Sequence, residues 1–145
     1  MTQLDLSTAQ ALIAAALAHA RAQGFKPLGG GVLDARGALI AYAAEDGTSF
    51  RRADIALAKA NGALAMGMGS RTLAARAKTA PAFIGALAGV IQGGLAPAAG
   101  GVLVRDAAGE LIGAVGVSGD ISDNDEAAAL AGIAAVGLVG DPGAD

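Results

Sequence analysis

The run "ELIGAVGVSG", residues 110–119, constrains the fold more than any other stretch of the chain. Glycines 113, 116 and 119 interrupt an apolar pattern that otherwise alternates as a strand does. Each costs a strand or helix about 0.5–1 kcal/mol relative to alanine, so several together imply that something comes close to the backbone there. A phosphate-cradling loop, a strand tightly covered by another element and a pocket floor are the three readings. The glycines are spaced G-x-x-G-x-x-G, without the lysine of a Walker loop and out of step with the G-x-G-x-x-G dinucleotide fingerprint. They also follow a hairpin turn. The nucleotide readings therefore fail, and close packing and a pocket floor remain. Side chains alternate along a strand, so Gly113 faces opposite to Gly116.

Composition supports a core closed by backbone approach. The chain is 54% hydrophobic but only 3% aromatic, with 23 glycines among its 145 residues. That length suits one domain, here taken as 1–140, followed by a flexible tail over 141–145. A net charge of −3 offers no basic face for nucleic acid. The absence of cysteine removes disulfides and thiolate chemistry and is compatible with a reducing compartment. The opening "MTQLDLSTAQ" has no secretory pattern, so a cytoplasmic protein is expected. The uncharged segment 80–104 is long enough for a membrane span, yet Pro81, Pro97, Gln92 and two glycine pairs break it. It reads as a short buried helix, a loop and a strand start, with no membrane partner.

The remaining pattern is helix, hairpin, helices, hairpin, helix. Ser7 and Gln10 form the expected capping box of a first helix that stops at Gly24. Strands at 32–33 and 38–43 flank a turn at 34–37, and a second hairpin turns at 106–109. Helices are expected from Arg51 to about Met66, from a Ser70 cap to Lys78, and from Pro81 to Ala88. A last helix, capped by Asp123 or Asn124, runs from Asp125 to about Val139. Hairpins mean antiparallel pairing, hence an α+β fold.

A few side chains carry candidate chemistry. His19, the only histidine, lies about 90° from the centre of the first helix's apolar stripe. It is either a half-exposed helix residue or a single imidazole for iron, haem or proton transfer. Lys59 shares an apolar-leaning face with Ile55, Ala63 and Met66, and is expected to snorkel to solvent. If buried instead, its pKa should fall and an anion would be its natural partner. Arg51 and Arg52, with Lys59, form a candidate carboxylate clamp. Asp125 and Glu126 at a helix start complement its dipole, and the acidic residues around them lack calcium-loop spacing.

"VLDARGALIAY", "EDGTSFRRADIALAKANGA", "GGVLVRDAAGELIGAVGVSG" and "DNDEAAALAG", in that order, resemble the GlcG/HbpS family of small bacterial proteins. The resemblance implies a profilin-like antiparallel sheet flanked by helices, assembled as a homo-oligomer. It implies a small-ligand-binding protein, with haem as ligand in some members, while other members sit in catabolic operons. The ligand would lie near Lys59, Arg52, Gly116 and Ser118, and His19 would correspond to a haem-associated histidine. The alternative is a cofactor-independent lyase or isomerase acting on a small organic acid. There Lys59 and Arg52 would hold the carboxylate, and Asp125 or Glu126 would move a proton. A third reading is an assembly protein whose oligomer surface is its function. The chain departs from the family pattern in lacking a threonine after Lys59-Ala60 and a cysteine after Asp125.

Overall fold

A computed structural model describes residues 4–145. Five helices accompany one five-stranded sheet in an α+β arrangement. In chain order these are α1 (Leu6–Gln23), β1 (Gly29–Asp34), β2 (Leu39–Ala44), α2 (Arg52–Met66), α3 (Ser70–Thr79), α4 (Pro81–Val90), β3 (Gly101–Arg105), β4 (Leu111–Ser118), α5 (Ser122–Ala135) and β5 (Val139–Asp141). The strand order is β2-β1-β4-β3-β5, and every pairing is antiparallel.

Both hairpins form where the turn chemistry predicts. Asp34 accepts from the amides of Arg36 and Ala38, and Asp106 does the same for Ala108 and Glu110. Each turn closes on a glycine with positive φ, Gly37 or Gly109.

The sheet is covered on both faces. Helices α1 and α5 pack together over Val32, Val102, Val104, Val115 and Val117. Helix α2 covers the other face over Leu33, Leu103 and Ala114. Its inward side is small: Ala56, Ala60, Gly62 and Ala63 are all buried. The strands beneath match it. A Cβ added to Gly116 would overlap the carbonyl oxygen of Ala56, and the space at Gly113 on the opposite face is filled by Leu4 and the Leu33 carbonyl. Gly116 lets α2 approach the sheet nearly backbone to backbone. That resolves the question raised by residues 110–119: they form a tightly covered strand, and Gly116 has no open space beside it for a ligand.

Four sequence expectations change. The α1 cap is Asp5, whose carboxylate accepts from the Thr8 amide at 2.8 Å, so the helix starts earlier than a Ser7 capping box would allow. Ser70 opens α3 without capping it, because its buried hydroxyl accepts from the Gly101 amide at 2.7 Å. Helix α5 begins at Ser122 and ends at Ala135, since Gly137 turns the chain with positive φ and Val139 enters β5. The tail is docked. Asp141 pairs with β3, the Pro142 carbonyl accepts from the Arg71 amide, and the Ala144 amide donates to the Thr72 hydroxyl at 2.9 Å.

Candidate functional site

Four of the predicted site residues, Lys59, Asp125, Arg52 and Ser118, converge at the Ser118 end of β4. Lys59 projects from the middle of α2 and does not snorkel outward. It is 3% exposed, because the chain passes it as Gly100 with φ +123°, where a Cβ would stand 2.9 Å from Nζ. Nζ donates to the Val117 carbonyl and to Asp125 Oδ2, each at 3.0 Å. Asp125, in the first turn of α5, is equally buried, and its other oxygen accepts from the Asp120 amide at 2.9 Å. The pair therefore ties α2 on one face of the sheet to α5 on the other.

Burial sets the electrostatics of this pair. Loss of solvent pushes the Lys59 ammonium below its ordinary pKa, opposing the attraction of Asp125. The same loss pushes the Asp125 carboxyl up, against the attraction of Lys59 and the Asp120 amide. The anionic partner anticipated for a buried Lys59 is thus supplied from within the chain.

Arg52, the first residue of α2, reaches the same end of the sheet, where its Nη1 donates to Ser118 Oγ at 3.1 Å. Ser118 is 1% exposed and Arg52 is half-buried. Arg51 does not join them. It lies exposed over the Phe50 ring and 3.9 Å from Asp54, so the clamp reduces to one arginine. Glu126 is also engaged elsewhere, accepting from Arg71 Nε at 2.9 Å. Arg71 additionally pairs with Asp123 and Asp145, tying α3, α5 and the C-terminus together. The sequence reading did not single out Arg71, and no local pattern marks it.

His19 stands apart on α1, half-buried, with its ring edge-on to Phe25 at 5.9 Å between centroids. Among the described residues its ring nitrogens take part in no hydrogen bond. Further round the same helix end, Arg21, Pro27, Glu45 and Asp46 line a shallow cleft of about 260 Å³. Arg21 is consumed there by Glu45 at 2.7 Å and by the carbonyls of Phe25 and Lys26. Among the described residues no helix is long and apolar enough to cross a membrane.

Comparison with known proteins places this arrangement. Among curated proteins no sequence match is found. Several solved structures share the fold over 94% of this chain. A PduOC:haem complex is 25% identical, with a TM-score of 0.83 and 97% of its own chain covered. HbpS is 29% identical, with a TM-score of 0.80 and 92% covered. A double mutant of HbpS from Streptomyces reticuli is 30% identical, with a TM-score of 0.79 and 89% covered. The family profile described as "Haem degrading protein HbpS-like" matches residues 4–134, and the chain belongs to that HbpS-like family.

Proposed function

We propose that this chain is a small-ligand-binding protein whose ligand is haem, held through the imidazole of His19. The observation that carries the reading is the state of His19. It is the only imidazole in the chain, half-exposed, and among the described residues uncommitted to any hydrogen bond. Phe25 meets the ring edge-on, a favourable aromatic contact. A neutral imidazole nitrogen is the usual protein donor to haem iron, so the donor set fits the group. Family membership and a relative solved with haem support the choice. When bound, haem supplies an iron centre for ligand or redox chemistry; the protein's part is to hold and orient it.

Homo-oligomeric assembly in the cytoplasm belongs to the same reading. The assembly is supported by α4, an uncharged helix with Ile84 buried and Phe83 and Val90 left 61% and 78% exposed. Of the two carboxylate holders in the lyase or isomerase reading, Lys59 is already neutralised by Asp125, which leaves Arg52 alone.

The test is a haem titration of the purified protein followed by Soret absorption, with His19→Ala alongside. Saturable binding lost in the variant is expected. No specific spectrum, or one the variant leaves unchanged, would overturn the assignment.

A further inference from the structure

We propose that the groove at the start of α3 binds an extended Pro-Gly-x-acid peptide of a partner protein, and that the chain's own Pro142–Asp145 fills it as an internal ligand. The Pro142 carbonyl accepts from the Arg71 amide at 3.3 Å. Gly143 turns with φ +85°, where a Cβ would stand 2.5 Å from Thr72 Oγ1 and 2.8 Å from the Gly69 carbonyl oxygen. Thr72 Oγ1 accepts from the Ala144 amide at 2.9 Å and donates to the Ala144 carbonyl at 3.2 Å. Arg71 Nη1 reaches Asp145 at 3.1 Å. The floor is Gly69, where a Cβ would overlap the Pro142 carbonyl. These contacts read backbone groups, one glycine and one acid, and leave the Ala144 side chain exposed. That is how a protein recognises an extended peptide.

The groove is built without its occupant. Ser70 is fixed to the Gly101 amide of β3, Leu73 is wholly buried against Ile84 and Leu95, and Arg71 is held by Glu126, whose side chain is 13% exposed. The strap formed by residues 142–145 is held more loosely. Asp145 is 81% exposed and is the third carboxylate on a guanidinium that Glu126 and Asp123 already serve, so its charge adds little. A segment kept in place by a few exposed hydrogen bonds opens locally while the core stays folded. The strap also lies beyond residue 134, where the match to the family profile ends. A preformed groove with a loosely held, tethered occupant admits a free peptide of the same pattern. That peptide competes against the strap's effective concentration, on the order of millimolar for a short tether.

The experiment uses the full-length, 15N-labelled chain and the blocked peptide acetyl-Gly-Asp-Pro-Gly-Ala-Asp-amide. In wild type, the amides of Arg71 and Ala144 should exchange hydrogen at least roughly 10-fold faster than that of Val115 in the core, because the strap opens on its own. Exchange of both at the rate of Val115 would overturn the proposal, and that result needs no variant. Gly143→Val should eject the strap while the fold, followed by circular dichroism, is kept. The peptide should then give saturable shifts confined to residues 69–73. Wild type should bind it at least roughly 10-fold more weakly, since its own strap competes. A peptide with valine in place of the second glycine should not bind. Shifts that grow linearly in a folded Gly143→Val, or equal binding of the valine peptide, would overturn the proposal. Unlabelled wild-type chain that reproduces the peptide's shifts in labelled Gly143→Val would make a second copy's strap the occupant and refute a separate partner.

Discussion

Replacing Lys59 by methionine should destabilise the fold far more than an ordinary surface substitution. The two charges stand 3.0 Å apart with side chains 3% and 2% exposed. At an effective dielectric of about 20, their attraction at that separation is about 5 kcal/mol, offset in part by the cost of burying both. Methionine removes the ammonium but leaves the Asp125 carboxylate in place, and breaking a buried pair this way costs about 3–5 kcal/mol. For a domain of this size that is a drop in Tm of roughly 6–20 °C, at about 2–4 °C per kcal/mol. The loss should depend on pH. With Lys59 gone, only backbone amides still oppose burial at Asp125, and its folded-state pKa rises further above the ordinary 3.8. A raised carboxyl contributes stability below its unfolded pKa and loses it as pH climbs through the folded one. Lys59→Met should therefore lie closest to wild type near pH 4 and furthest from it at neutral pH. Adding Asp125→Asn removes the orphaned charge while keeping an oxygen for the Asp120 amide, and should recover most of the loss. Urea unfolding followed by far-UV circular dichroism measures all three proteins. A single variant within about 0.5 kcal/mol of wild type, or a double variant no better than the single, would refute the reasoning.

Two further substitutions test the packing that creates the site. Gly116→Ala places a methyl group against the Ala56 carbonyl and should cost about 1–3 kcal/mol by forcing α2 off the sheet, read as a lowered urea midpoint. Wild-type stability there would mean that α2 does not sit on β4 as described. Ser70→Ala leaves the buried Gly101 amide without its acceptor and should cost about 1–3 kcal/mol, with faster hydrogen exchange at Gly101 as the local signature. Unchanged exchange at that amide would remove the bond from the account.

The hairpins were legible in the sequence because each turn is written locally, in an aspartate and a glycine three residues apart. The role of the β4 glycines was half legible: alternation assigned Gly113 and Gly116 to opposite faces, but only the docked α2 distinguishes close packing from a pocket floor. The burial of Lys59 was not legible, because its partner lies 66 residues away and a lysine on an apolar-leaning helix face can equally snorkel to solvent. Ser70 misled for a related reason. Its local context spells a helix cap, while its actual acceptor role is set by a strand 31 residues on. The docked tail escaped notice because β5 is three residues long and earns its place through pairing with β3. His19 was placed correctly at a helix boundary, since helical periodicity alone determines that.

The most direct test of the haem assignment is a Soret titration of His19→Gly with and without free imidazole. Wild type should bind one haem per chain, the variant should lose the specific spectrum, and imidazole filling the vacated position should restore it. A His19→Gly protein that binds haem with the wild-type spectrum, needing no imidazole, would contradict the assignment of His19 as the ligand.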